Sequence, residues 1–224
     1  MHRLLVINPN TTAAVSRLLQ AHVQAAAGED AWVHTVTARF GAAYIVDEAS
    51  YVLGAHAALD AWDAATAPPA GALPEAVLVG CFGDPGLFAL RERCPVPVTG
   101  LAEASFQEAA AHGRFAVVTG GERWVPMLER LALVLGHAGT LAGVHAVAPT
   151  GAQLAADRGA ALRLLREACE DAARRFDAQA VIVGGAGLAG MAADLQPHVD
   201  VALIDSVSAG ARAALRLAAG ASAA

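Results

Sequence analysis

Ala76-Val77-Leu78-Val79-Gly80-Cys81-Phe82-Gly83-Asp84-Pro85-Gly86 is the stretch on which the fold turns. Its apolar opening is the pattern of a strand buried on both faces of a parallel sheet. Asp84-Pro85 then predicts a helix start, an N-cap acceptor followed by a proline whose fixed φ suits the first helical position. Cys81 is therefore expected at the carboxyl end of a strand, on a tight loop facing a helix N-terminus, where open α/β sheets place their ligands. Helix N–H groups favour negative charge and would hold a thiol there as thiolate. An Asp84 carboxylate close by would act the other way and raise the thiol pKa. A buried packing role is the commoner fate of a cysteine. The flanking glycines turn the reading toward function, because they let a ligand approach the backbone.

The plan of this stretch recurs. Ala180-Val181-Ile182-Val183-Gly184-Gly185 resembles Ala76 to Cys81 at an offset of 104 residues. Phe115-Ala116-Val117-Val118-Thr119-Gly120 resembles Leu4-Leu5-Val6-Ile7-Asn8-Pro9 at 111, each preceded by an arginine. Val201 to Asp205 resembles Val96 to Gly100 at 105. Three matches in one order at nearly one spacing predict an α/β fold of two pseudo-symmetric lobes, each a parallel sheet flanked by helices. Residues 1–98 plus 206–224 would form the first lobe and 99–205 the second. Strand-end loops would then face each other across a cleft, a favoured place for a small ligand. The mirror position of Cys81 is Gly185.

Other elements fill in this frame. Asn10 or Thr11 is expected to cap a helix reaching about Ala27, with Val15, Leu18, Leu19 and Val23 on one face. Trp32 to Ala38 alternates as a strand, and a helix follows from about Glu48 to Thr66. Pro68, Pro69 and Gly71 break the chain. After a helix near Leu87 to Arg91, Cys94 to Val98 reads as a short strand. Ser206 to Leu217 is apolar enough to need a covering partner and is expected to fold back on the first lobe.

The 224 residues are 56% hydrophobic and 16% charged, which suits a globule rich in buried strands and excludes a disordered chain. A net charge of -6 with no Lys/Arg cluster argues against a nucleic-acid partner. Three unevenly spaced cysteines predict no disulfide framework and a reducing, cytoplasmic setting. Met1-His2-Arg3 runs straight into a strand, with no leader pattern. The uncharged stretch from Leu131 to Ala156 is broken by histidines, glycines and Pro149, so no membrane span is expected. A small molecule is the expected partner, and assembly into a homo-oligomer is left open.

Asn8-Pro9-Asn10-Thr11-Thr12 offers amide and hydroxyl groups beside helix N–H groups, which suits a carboxylate or imide oxygen and equally suits plain N-capping. Thr119-Gly120-Gly121 occupies the equivalent turn and carries the same two readings. Gly184 to Gly190 could cradle an anion through backbone N–H groups. Its glycines lack the setting of a dinucleotide fold, because the chain's first βα turn, after Leu4 to Ile7, lacks the glycines that fold requires there. Cys94 and Cys169 read as packing residues. The histidines show no metal-ligand spacing, and His137, His145 and His198 read as solvated surface.

Ile7-Asn8-Pro9-Asn10-Thr11, Cys81-Phe82-Gly83-Asp84-Pro85-Gly86-Leu87, Val117-Val118-Thr119, Val125-Pro126-Met127-Leu128-Glu129 and Ile204-Asp205 together resemble hydantoin racemases of the aspartate/glutamate racemase superfamily. The resemblance runs over nearly the whole chain. It implies two α/β lobes, no cofactor, no metal and a pair of cysteines that exchange a proton at an acidic carbon from opposite faces. Cys81 corresponds to the first. The second falls in a Gly-Cys-Ala-Gly-Met-Ala stretch of the family, which here reads Gly184-Gly185-Ala186-Gly187-Leu188-Ala189. By the same resemblance Asn8, Asn10, Thr11, Phe82, Gly83, Thr119, Gly120, Gly185, Ala186 and Gly187 are expected to bind substrate.

Racemisation needs an acid/base group on each face of the carbon. With one thiol, three readings stand. The first is a cofactor-independent racemase or isomerase of the hydantoin type, with water or Thr119 serving the second face. The second is a single-cysteine enzyme of the same superfamily, resembling arylmalonate decarboxylase or maleate isomerase. The third is a non-catalytic small-molecule binding protein.

Overall fold

The structure, a computed structural model, describes residues 1–68 and 72–221. Pro69 and Gly71 of the expected break, and the last three residues of the expected first lobe, lie outside them. Strand β1 (His2–Asn8) leads into helix α1 (Ala13–Ala27), then β2 (Ala31–Thr37), α2 (Glu48–Thr66), β3 (Ala76–Val79), α3 (Leu87–Arg93), β4 (Val98–Gly100) and α4 (Leu101–Ala110). The second half repeats the order with β5 (Phe115–Gly120), α5 (Trp124–Val134), β6 (Leu141–Val147), α6 (Gly151–Ala156), α7 (Arg158–Phe176), β7 (Ala180–Gly184), α8 (Met191–Leu195), β8 (Ala202–Asp205) and α9 (Ser206–Ala221).

Both sheets have four parallel strands, in the orders β2-β1-β3-β4 and β6-β5-β7-β8. Register carries the repeat down to single residues. Leu4 pairs with Ala76 as Phe115 pairs with Ala180, and Val77 pairs with Val98 as Val181 pairs with Leu203. Counting along β3 and β7 from these pairs sets Cys81 and Gly185 at equivalent places.

Period-two alternation decides what each face covers. Leu4, Val6, Leu78, Phe115, Val117 and Ile182 turn toward one shared core, filled by residues of α1, α4, α5 and α9. Leu5, Ile7, Val77 and Val79 turn outward under α2 and α3. Ala116, Val118, Val181 and Val183 turn outward under α6, α7 and α8. The two helices that follow the last strand of each sheet cross over: α4 lies against β7 and β8, whereas α9 lies against β1, β3, β4 and α1. Glu108 and Arg212 tie this crossed pair together at 2.6 Å.

Local expectations need four corrections. Neither Asn10 nor Thr11 caps α1; Thr12 is its N-cap, without a side-chain capping bond, because its hydroxyl donates to Ala43 O instead. Asp84 does not start α3, which begins at Leu87 after a left-handed Gly86. The strand expected over Cys94 to Val98 begins only at Val98, since Pro95 and Pro97 have no N–H for the ladder. Finally, His137 and His145 are not solvated surface. His137 sits edge-on to Phe106 and Phe115, and His145 Nδ1 is buried without a hydrogen-bond partner.

Candidate active site

The carboxyl ends of β1, β3, β5 and β7 border one cavity of about 730 Å³. Asn10, Cys81, Phe82, Thr119, Gly120, Gly185, Ala186 and Gly187 line it. Asn8, Thr11 and Gly83 do not. Asn8 is fully buried behind Asn10, the Thr11 N–H donates to Ala42 O, and the Gly83 carbonyl accepts the Tyr51 hydroxyl at 2.9 Å. Apolar walls that carried no chemical signature in the sequence complete the cavity. They come from α1 (Val15, Leu18), the loop before α2 (Tyr44, Ile45, Val46) and the first residue of α5, Trp124. Only their helical spacing on α1 was legible beforehand.

Cys81 lies two residues past β3, 8% exposed. Its loop is braced from both lobes. The Trp124 ring fills the space beside Gly83, and the Phe82 ring occupies the place a side chain on Gly184 would take. Phe82 also meets Phe106 edge-on in the shared core. The thiol is not held as a thiolate. Burial pushes its pKa well above the ordinary cysteine range, and the Asp84 charge pushes it further.

Asp84 is itself buried and left-handed, with φ 56°. Its two carboxylate oxygens accept the Ala102 and Glu103 N–H groups at 2.9 and 2.8 Å. It therefore caps α4, a helix that begins 17 residues later at Leu101. Burial pushes this carboxyl up to about 7, with Glu103 adding, while the two N–H bonds and Arg91 oppose.

The mirror turn is built differently. Gly185 has φ 144°, a region that side chains rarely adopt. Its N–H donates to Ser206 Oγ, the Leu188 N–H to Gly185 O and the Gly190 N–H to Asp205. Those three N–H groups are committed within the protein and do not contribute to the expected anion cradle over Gly184 to Gly190. Thr119 reaches the same turn, its hydroxyl donating to Gly184 O at 2.9 Å.

Charge on the wall is confined to Glu122 and Arg123, and Arg123 pairs with Asp47 at 3.0 Å across the mouth. Arg130 and Glu48 form a second exposed pair between α5 and α2. Among the described residues, no group of three His, Cys, Asp or Glu side chains could hold a metal ion, and no helix is long and apolar enough to cross a membrane.

A family model described as Asp/Glu/Hydantoin racemase matches residues 4–214. A hydantoin racemase from a Pseudomonas species is 30% identical over 211 residues, which covers 94% of this chain and 83% of that one. Among solved structures, an allantoin racemase from Klebsiella pneumoniae superposes with a TM-score of 0.90 at 30% identity, covering 98% of this chain and 88% of that one. An allantoin racemase from Pseudomonas fluorescens gives 0.89 at 28%, covering 96% and 90%. Two equivalent parallel sheets facing one cavity, and a match that spans both of them, lead to one conclusion: this chain is a racemase-type enzyme and belongs to the Asp/Glu/hydantoin racemase family.

Proposed function

We propose that the chain is a cofactor-independent racemase or isomerase of the hydantoin type, in which Cys81 is the acid/base at a carbon next to a carbonyl. The observation that supports this most is the placement of a single thiol, Cys81, on the wall of a two-lobed, mostly apolar cavity. A thiol with a raised pKa is a competent proton donor, and once ionised it is a strong base toward a weak carbon acid. In the step, Cys81 first releases its own proton to solvent; the thiolate then takes the proton from the carbon, the carbon–hydrogen electron pair moves into the carbonyl, and an enolate forms with the proton now on sulfur. Asn10, Thr119 and backbone groups at the strand ends surround the oxygen. The sole cation on the wall, Arg123, is already paired, which favours a neutral cyclic imide over a dicarboxylate.

Gly185 at the mirror position supports a second reading, a single-thiol lyase that delivers a proton to one face after carbon dioxide leaves. In the racemase reading, solvent or Thr119 serves that face. The experiment is deuterium wash-in at the acidic carbon of a 5-substituted hydantoin, run beside optical rotation, with carbon dioxide release measured from an arylmalonate. Wash-in with loss of rotation, abolished in Cys81→Ala, is the expected result. Carbon dioxide release without wash-in establishes the lyase. Neither signal, with retained ligand binding, establishes a binding protein.

A further inference from the structure

Asn8 and Asn10 form a directional chain whose polarity is dictated by backbone groups. The Thr12 N–H donates to the Asn10 side chain at 2.9 Å, so the atom it meets is the carbonyl oxygen Oδ1. The Asn10 N–H donates to the Asn8 side chain at 3.2 Å, which fixes that atom as Oδ1 in turn. The remaining Asn8 atom is therefore the amide Nδ2. It stands within hydrogen-bond reach of Asn10 Oδ1 at 3.1 Å, Thr12 O at 3.3 Å and Ser16 Oγ at 3.0 Å. Ser16 continues to Thr37 Oγ1 at 2.6 Å. Amide orientation is often ambiguous, but here two backbone donors settle it.

Asn10 is left with one face unspent. It is 6% exposed and lines the cavity, and its Nδ2 has no hydrogen-bond partner among the described residues. Asn8 is 0% exposed, does not reach the cavity, and has both ends of its amide committed. An unpartnered donor held rigid on a cavity wall stands ready for an acceptor on a ligand.

We propose that Asn8 is a positioning residue that locks Asn10 with its NH2 group toward the cavity, making Asn10 a fixed donor to the substrate oxygen on which negative charge gathers. This rests on the proton-transfer reading of Cys81. Preorganised donors act by meeting charge as it develops, without reorganising at that moment. The class of ligand group follows from the polarity: an acceptor, such as the carbonyl of an imide or amide. A donor placed there would face another donor.

Asn10→Asp is the sharpest test, because it keeps Oδ1 for Asn8 and Thr12 and replaces only the donor. Its wash-in rate at carbon 5 of a hydantoin is expected to fall on the order of 10²–10³-fold, the usual loss for one such donor. Asn8→Ala is expected to lower kcat more than it raises KM. The Asn8→Ala/Asn10→Ala pair should be no slower than Asn10→Ala alone, since the first residue acts only through the second. Additive losses in the double variant would overturn the positioning role. A full rate in Asn10→Asp would overturn the donor role. A readout independent of turnover is the 15N–1H spectrum of the side-chain amides during titration with unsubstituted hydantoin. The Asn10 Nδ2 pair should shift in the wild type and in Cys81→Ala, and the shift should weaken in Asn8→Ala. An unmoved Asn10 signal in a titration that shifts other cavity residues sinks the proposal. A shifted Asn10 signal without any wash-in leaves it standing while the proton-transfer reading fails.

Discussion

The carboxylate of Asp84 occupies the space that a side chain on Gly100 would fill, so the loop bearing Cys81 supplies the cap that the strand end before α4 cannot. In the other lobe the arrangement is exchanged. Asp205, equivalent to Gly100, caps α9 from the strand end through the Val207 and Ser208 N–H groups, and at the offset that relates Cys81 to Gly185 the counterpart of Asp84 is Leu188. The first lobe thus brings a negative charge onto the cysteine loop, and the second keeps it on the strand.

That placement predicts a pH dependence. The folded protein holds the Asp84 proton more tightly than the unfolded chain does, because burial raises the group from 3.8 to about 7. Stabilisation from this group is complete below about pH 4 and is lost as pH rises toward 7. The loss is on the order of 4 kcal/mol at about 1.4 kcal/mol for each unit of pKa. Asp84→Asn does not ionise and lacks that slope. Urea midpoints at pH 4.5 and 7.5 should therefore diverge for the wild type more than for the variant; equal slopes would contradict the assignment.

The thiol should react slowly despite facing a cavity. Burial raises Cys81, Cys94 to about 11 and Cys169 to about 12. Iodoacetamide labelling of Cys81 should still be accelerating at pH 10, and above about pH 7, where Asp84 is ionised, Asp84→Asn should label faster because one opposing charge is gone. A plateau below pH 8 would show that a stable thiolate exists.

Gly184 has no room for a methyl group. A Cβ there meets the Phe82 ring, itself held by Phe106. Gly184→Ala should destabilise the fold by about 1–3 kcal/mol through overpacking. Adding Phe82→Leu should recover part of that loss. Thermal unfolding of the single and double variants measures the coupling, and strict additivity would show that the ring is not the obstacle.

At Gly185 the obstacle is backbone rather than space. A Cβ would touch only the Leu188 side chain, at 3.4 and 3.6 Å, but the φ of 144° disfavours any side chain. Gly185→Cys should fold, with a strain of about 1–3 kcal/mol that lowers Tm by roughly 2–4 °C for each kcal/mol. It should also raise racemisation relative to deuterium wash-in, because a second acid/base group then stands on the other face. Loss of wash-in together with a normal Tm would instead mean that the new side chain blocks the ligand.

The lobes were legible because buried parallel strands are near-continuous apolar runs, and three pairs of them recur at nearly constant offsets. Cys81 was legible from its setting between a strand and glycines. Asp84 was misassigned because cap patterns are local, whereas its partner helix starts at Leu101 on the far side of another strand. Asn8 carried the right residue type for a binding group, yet its amide is spent on the chain, and a spent amide and a free one read alike in sequence. The walls at Ile45, Val46 and Trp124 have no chemical mark at all; the glycine-bearing loop after Trp32 to Ala38 and a helix start became cavity lining through tertiary packing.

The crossing of α4 and α9 has a consequence for the order in which the protein is made. Residues 206–221 are needed to cover β1, β3 and β4, so the first sheet to leave the ribosome keeps an apolar face open until the last helix arrives. These are contacts of very long sequence separation, which are slow to form. Until then Leu4, Val6 and Leu78 lack the part of their cover that α9 provides, and partly covered apolar surface of this kind is where aggregation begins.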